Sequence, residues 1–408
     1  MTTNEKIRRL EPPALPAGFL SAGAACGIKP DGGPDLAMIY SDAETAAAGS
    51  FTSSRVSAAP VKLSRTVVSR GRCRAVIANS GCANAATGDR GMRDAERMAR
   101  LTTEVLGLDS GEVAVASTGR IGRFLPMGRI ETGIRDLGAI IREGGNGDAA
   151  RAVMTTDTVP KEIALELRVE GKVARLWGIA KGAGMIYPRM RVEGAPLATM
   201  LSFLATDLAA GPPLLRDALD RSLSRSFNRI TVDGDTSTND TVILMANGRS
   251  GAVIEAGAPS AGLFQEALDR LTRELAWMIV ADGEGAGKFV EIDVRGALTA
   301  DDARRAAEAV GNSLLFKCAL HGETPNWGRL LAALGYSGAA VEEGRIAVSL
   351  GRVEVVRGGL LTEANDEMVS QELKKHRLSF RIDLGLGEGW DVCYTCDITP
   401  RYVEINKE

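Results

Sequence analysis

Histidine is nearly absent: His321 and His376 are the only two in 408 residues. Two histidines cannot build a multi-histidine metal centre, and neither stands in a recognisable Ser-His-Asp motif. Metal hydrolysis and histidine-based nucleophilic catalysis are therefore both poor starting points, and no metal is expected. Any catalytic base has to come from elsewhere. Cysteine is also sparse. Cys26, Cys73, Cys82, Cys318, Cys393 and Cys396 are scattered, and the one CxxC, Cys393-Tyr-Thr-Cys396, falls in an expected strand. It has no second pair, whereas a structural zinc site takes four ligands. The cysteines read as small buried hydrophobes in a reducing compartment. An excess of positive charge is missing as well: 49 Lys and Arg against 52 Asp and Glu give a formal net charge of −3. Nothing in that balance points to nucleic acid. No apolar run reaches the roughly 18 residues of a membrane span, and the charged N-terminal segment has no apolar h-region. A cytoplasmic protein without a membrane partner is the expectation.

What is present is ordinary for a soluble globular chain, with 45% apolar and 25% charged residues. The length allows two domains with a sizeable core. The pattern is α/β throughout. Residues 72–79 and 112–118 read as buried strands, and 89–107 between them as an amphipathic helix closed by a glycine. Residues 162–180 read as a hairpin turning at Glu170-Gly171-Lys172. From 288 a strand leads into a helix from Thr299 to about Leu320, and strand pairs follow near 345–356 and 378–397. A domain boundary near 287 separates a domain over 1–287 from a smaller α/β domain over 288–408.

Glycine clusters suggest nucleotide binding, but the spacing is wrong. Gly283-Glu-Gly-Ala-Gly-Lys288 has Asp282 where a P-loop opens with Gly, and Phe289 where it needs Ser or Thr. The same stretch has Lys288 where GxGxxG needs its last glycine.

Several other segments are too specific for generic loops. They are Asn79-Ser-Gly-Cys-Ala-Asn84, Val115-Ala-Ser-Thr-Gly-Arg-Ile-Gly122, Met154-Thr-Thr-Asp-Thr-Val-Pro-Lys161 and Lys181-Gly-Ala-Gly-Met-Ile-Tyr-Pro188 continuing to Leu197-Ala-Thr-Met-Leu201. Thr231-Val-Asp-Gly-Asp-Thr-Ser-Thr-Asn-Asp-Thr241 and Pro325-Asn-Trp-Gly-Arg329 complete the set. In this order and spacing, from Gly18-Phe-Leu-Ser-Ala-Gly23 to Tyr402-Val-Glu-Ile-Asn406, the chain resembles the ornithine acetyltransferase (glutamate N-acetyltransferase) family of arginine biosynthesis.

The resemblance implies a self-processing, N-terminal-nucleophile-like α/β sandwich with a second, smaller α/β domain, assembled from two α and two β chains. It places autocleavage between Ala198 and Thr199. The freed Thr199 then carries a hydroxyl nucleophile and an α-amine whose pKa near ~8 suits it as general base. That pairing accounts for acyl transfer in a histidine-poor chain. Thr118 and Gly119 match the oxyanion-hole pair, in which one donor is commonly worth ~3 kcal/mol. Substrate binding carries over to Thr155, Lys181, Thr199, Glu284 and Asn406. The tail over about 397–408 is implied to return to the active site. Lys181 suits an α-carboxylate and Glu284 an ornithine ammonium. The implied substrates are N-acetylornithine and glutamate. No cofactor is implied, acetyl-CoA being an alternative donor in bifunctional members.

Local sequence alone supports plainer readings beside these. Residues 200–208 read as a helix that Thr199 caps, Thr118-Gly119 as a strand-to-loop turn, and Lys181 and Glu284 as charges beside glycine turns. Asp233, Asp235 and Asp240 lack EF-hand spacing and read as structural support. The chain also departs from the family pattern. Residues 189–195 look like an insertion ahead of Thr199, the chain stops at Lys407-Glu408, His321 stands where an aromatic is expected, and Cys82 replaces a usual Asn. A paralogue acting on another amino acid, an amidohydrolase with water as acceptor, and a cleavage-dead binding protein all remain open on the sequence.

Overall fold

The computed structural model describes residues 6–52, 54–188, 190, 200–363 and 366–407. By its internal contacts the chain divides into two compact units, Met1–Asn228 with Asp235–Ile279, and Arg229–Gly234 with Val280–Glu408. The short segment 229–234 joins the second unit because Ile230 bridges to Tyr394 and the Thr231 amide donates to the Tyr394 carbonyl at 2.9 Å.

Among the described residues, the first unit holds a six-stranded and a four-stranded sheet. The larger runs in the order Ile7–Arg9, Lys161–Val169, Lys172–Lys181, Leu201–Thr206, Thr241–Ala246, Ala46–Phe51. The smaller runs Phe19–Ala24, Leu36–Ser41, Ala75–Cys82, Val113–Arg120. Helices Ala59–Ser69 and Asn146–Ala152 touch strands of both sheets. One apolar cluster, including Phe19, Ile39, Val61, Val67, Trp177 and Phe203, joins both sheets and these two helices. Val61, Ser64, Val67 and Val68 form the buried stripe of the first of these helices, and the Ser64 hydroxyl donates to the Val115 carbonyl at 2.7 Å. A second cluster covers the other face of the smaller sheet with helices Gly88–Leu106 and Met127–Ile140.

Most expected elements form. The parallel pair Ala75–Cys82 and Val113–Arg120 flanks the helix Gly88–Leu106, which ends at Gly107 in the left-handed region (φ 63°). The hairpin turns through Glu170 and Gly171, both at positive φ (49° and 81°), the two-residue geometry that matches strand twist.

Two expectations are corrected. Residues 200–208 do not form a helix; Leu201–Thr206 is a central strand, antiparallel to Lys172–Lys181 and parallel to Thr241–Ala246. All six of its residues are buried, and a short run buried on both faces carries no periodicity to separate strand from helix. The helix expected from Thr299 to Leu320 is broken into Ala300–Gly311 and Leu314–His321. Asn312 leaves the first helix to accept the Thr231 hydroxyl at 2.6 Å, and the Ser313 hydroxyl caps the second by accepting from the Phe316 amide.

The second unit contains a six-stranded sheet, among the described residues, in the order Leu360–Leu361, Val353–Arg357, Ala347–Leu350, Arg377–Asp383, Phe289–Ala297, Gly389–Cys396. Its core centres on Phe380, which packs edge-on against Phe316 and Trp327. No helix of the described residues is long and apolar enough to cross a membrane.

Candidate active site

The chemistry of the first unit gathers where strands of both sheets end. Strand Val113–Arg120 carries Thr118 and Gly119 at its C-terminal end, beside Gly81 and Cys82 of the neighbouring parallel strand. Position 119 has room only for glycine: its φ is 126°, and a Cβ there would lie 2.4 Å from the Gly81 carbonyl carbon. Hydrogen bonds fix this crossing. Ser117 donates to the Asn79 side-chain carbonyl at 2.6 Å, and Asn79 donates to the Cys82 carbonyl at 2.8 Å. The Asn239 amide spans the loop, donating to the Ala83 carbonyl at 2.6 Å and the Ser117 carbonyl at 2.8 Å.

Lys181 ends the strand Lys172–Lys181 and pairs in register with Leu201. Its side chain is almost fully buried. The ammonium donates to Thr155 Oγ1 at 2.8 Å and to Thr118 Oγ1 at 3.1 Å. Behind it lies Asp157, 4.0 Å from Lys181 Nζ and 2.7 Å from the Nζ of fully buried Lys161. The carboxylate also accepts from the Gly182 amide at 2.7 Å and the Thr155 amide at 3.0 Å. Burial by itself would push the Asp157 carboxyl up. The Lys181 and Lys161 ammoniums, the Lys161 hydrogen bond and the Thr155 amide reverse that and hold it well below the usual carboxylate range.

Three of the sequence-predicted side chains, Thr118, Thr155 and Lys181, thus form one hydrogen-bonded cluster, with Gly119 next to Thr118. Ala198 and Thr199 lie outside the described residues. Met200, which follows them, is anchored on both sides: its amide donates to the Asp240 carboxylate, and its carbonyl accepts from the Thr241 amide at 3.0 Å. The segment containing Asp240 is itself tied down, since the Thr52 hydroxyl donates to the Ser237 carbonyl at 2.7 Å.

Glu284 and Asn406 belong to the second unit, where they meet. The Asn406 amide donates to Glu284 Oε2 at 2.5 Å and to the Tyr402 carbonyl at 3.0 Å. Gly285, at φ 69°, admits the tail helix Pro400–Ile405 so closely that a Cβ would sit 2.8 Å from the Tyr402 nitrogen. The Thr399 hydroxyl donates to the Gly285 carbonyl at 2.8 Å. The same loop shows why the P-loop reading fails. Its Gly287 and Lys288 amides donate to Asp397 Oδ1, and Lys288 Nζ reaches the Glu323 carboxylate and the Leu373 carbonyl. The CxxC pair is three residues apart in one strand, so Cys393 and Cys396 face opposite sides of the sheet.

Asp157, Lys161, Asn79 and Asn239 do structural work at this site that residue-by-residue reading passed over. Asp157 and Lys161 both stood in a recognised motif, but Asp157 lies in an irregular segment and Lys161 opens a strand, so no helical spacing announced their pairing. Asn79 and Asn239 also stood in recognised segments, but the Ser117 partner of Asn79 is 38 positions away and the Ala83 and Ser117 partners of Asn239 more than a hundred, so their roles were not legible locally.

Comparison with known proteins identifies the family: a model described as the ArgJ family matches residues 20–408. The chain is 46% identical over 394 residues to the arginine biosynthesis bifunctional protein ArgJ of Symbiobacterium thermophilum, covering 96% of each. It is 45% identical over 403 residues to the glutamate N-acetyltransferase of Methanocaldococcus jannaschii, covering 96% of this chain and 97% of that protein. Among solved structures it is similar to ornithine acetyltransferase complexed with ornithine from Mycobacterium tuberculosis, at 41% identity and a TM-score of 0.43. That match covers 45% of this chain and 99% of the solved one.

Proposed function

This chain belongs to the ArgJ family, and from that premise we propose that it is an acetyltransferase of arginine biosynthesis, moving acetyl from N-acetylornithine to glutamate through an ester on Thr199. The observation that carries this reading is the cluster of Thr118, Thr155 and Lys181 at the strand end paired with Leu201. It gathers two threonine hydroxyls around one buried cation, on a strand end whose partner Leu201 follows the predicted nucleophile by two positions in sequence.

In this reading the Thr199 hydroxyl first attacks the Ala198 carbonyl. The peptide C–N bond breaks as the ester forms, which frees the Thr199 α-amine. Water then hydrolyses the ester to release the Ala198 carboxylate and restore the Thr199 hydroxyl. That amine then takes the hydroxyl proton as Thr199 Oγ attacks the acetyl carbonyl of N-acetylornithine. The C–N bond breaks, the nitrogen of ornithine leaves with the proton, and acetyl remains as the threonine ester. Glutamate reverses the sequence: its amine attacks the ester, and the threonine oxygen regains the proton. During both attacks negative charge develops on the acyl oxygen, where the Thr118 hydroxyl and Gly119 amide donate. We assign the substrate α-carboxylate to Thr155 and Lys181, and the ornithine ammonium to Glu284 supported by Asn406. The working assembly is two α and two β chains, and neither metal nor redox cofactor enters these steps.

The decisive experiment joins intact mass to an acetyl-transfer assay. Fragments matching 1–198 and 199–408, with N-acetylglutamate formed from N-acetylornithine and glutamate, are expected. A single intact chain that transfers nothing overturns the reading. Acetate released without need of glutamate makes the protein an amidohydrolase instead. Replacing N-acetylornithine by acetyl-CoA in a parallel reaction decides whether the alternative donor is used.

A further inference from the structure

The resemblance gives Lys181 one task, binding a substrate carboxylate; the structure points to a second. An ammonium has only hydrogens to offer, so in the 3.1 Å contact Thr118 Oγ1 is the acceptor. A hydroxyl that accepts along one direction turns its own proton elsewhere. Among the described residues no acceptor takes that proton from buried Thr118. The ammonium also draws electron density from Thr118 Oγ1 and so strengthens its O–H as a donor.

Lys181 is held to this task. Its second donor contact goes to Thr155 Oγ1 at 2.8 Å. The Asp157 carboxylate lies 4.0 Å behind the ammonium, itself fixed by Lys161 and the Gly182 amide. The burial of all three charged side chains keeps water from replacing these contacts.

Resting on the acyl-transfer reading above, we propose that Lys181 is the positioning residue of the oxyanion hole: it aims and polarises the Thr118 hydroxyl toward the acyl oxygen. In the step it serves, Thr199 Oγ bonds to the acyl carbon and the carbonyl π pair moves onto oxygen. That oxygen accepts hydrogen bonds from Thr118 and Gly119, and no proton passes to it from Lys181.

A substrate without a carboxylate separates the two tasks. Full-length self-cleaved protein is mixed with p-nitrophenyl acetate, and p-nitrophenolate release is followed for the parent, Lys181→Met, Thr118→Val and the double variant. Each single substitution is expected to lower the acylation rate by roughly 100-fold, as loss of one oxyanion donor does. The double variant is expected to lose little more than either single one. Lys181→Gln, which keeps an N–H donor, is expected to recover part of the rate lost in Lys181→Met. Cooperative thermal unfolding verifies that each variant is folded, and Lys181→Gln carries the comparison if Lys181→Met is not. A folded Lys181 variant that stays uncut supports the proposal, since the Ala198 carbonyl brings no carboxylate to bind. The proposal falls if ester acylation and self-cleavage stay within twofold of the parent while N-acetylornithine turnover drops. Independent, multiplying losses in the double variant sink it equally. A parent protein that neither cuts itself nor transfers acetyl refutes the functional reading instead, a result distinct from either.

Discussion

Asp157 Oδ1 lies 2.7 Å from Lys161 Nζ, and neither side chain has solvent access. With Lys181 on its other oxygen, one carboxylate offsets two buried ammoniums. Asp157→Asn keeps the shape and removes the carboxylate charge that both ammoniums face. Breaking a buried pair this way costs about 3–5 kcal/mol, the loss expected in urea unfolding at neutral pH. The pH dependence has a definite sign. The folded-state pKa of Asp157 is lowered, so its stabilisation is complete above the unfolded value near ~4 and is lost as pH falls from there toward the folded value. The stability gap between parent and variant is therefore expected to stay constant from pH 7 to about 5 and to narrow below pH ~4. A gap unchanged down to pH 2.5 would contradict the pairing.

Gly119→Ala is expected to abolish both self-cleavage and transfer. The new methyl would lie 2.4 Å from backbone carbon of Gly81, and a φ of 126° is one L-residues rarely adopt. The strand must shift, and the 119 amide moves with it. Loss of a properly placed oxyanion donor lowers kcat about 100- to 1,000-fold. Intact mass and a single-turnover assay check it; transfer within tenfold of the parent would move the oxyanion hole elsewhere.

How far sequence reaches into this structure depends on whether a signal is local. Gly107 and Gly171 announce a helix end and a hairpin turn because their positive φ is a backbone requirement. The break at Asn312 is not local, since the competing partner is the Thr231 hydroxyl, 81 positions earlier. Strand Leu201–Thr206 was hidden by its own burial, because a run apolar on both faces fits helix and strand alike. The site divides in the same way. Thr118 and Lys181 are 63 positions apart, so composition and periodicity could not pair them. The family resemblance singled out both residues, but their mutual hydrogen bond, and Asp157 as the group behind it, required the fold.

Asn239 is a test of whether the oxyanion strand needs its loop. Its amide donates to the Ala83 and Ser117 carbonyls, and it is fully buried. Asn239→Ala leaves two buried acceptors without that donor, at about 1–3 kcal/mol each. A fall of several degrees in Tm is expected, together with a lower kcat, because Ser117 directly precedes Thr118. Differential scanning calorimetry and steady-state kinetics on one preparation separate the two effects. Loss of stability with kcat unchanged would make Asn239 a purely structural brace.

Glu284→Gln addresses the other half of the substrate. The 2.5 Å contact from Asn406 holds the Glu284 carboxylate, and the proposed role is to meet the ornithine ammonium. Glutamine preserves size and one acceptor while deleting the charge, so only a charge-assisted hydrogen bond is lost, worth about 1.5–3 kcal/mol. KM for N-acetylornithine is expected to rise about 10- to 100-fold. Self-cleavage and acylation by an uncharged acetyl ester involve no ammonium and are expected to stay within twofold. Asn406→Ala loosens the carboxylate without removing it, so a smaller rise in the same KM should follow. The kinetic pattern is what carries the assignment. A Glu284→Gln protein impaired equally with N-acetylornithine and with the ester would place Glu284 in support of the fold rather than in recognition of the amine.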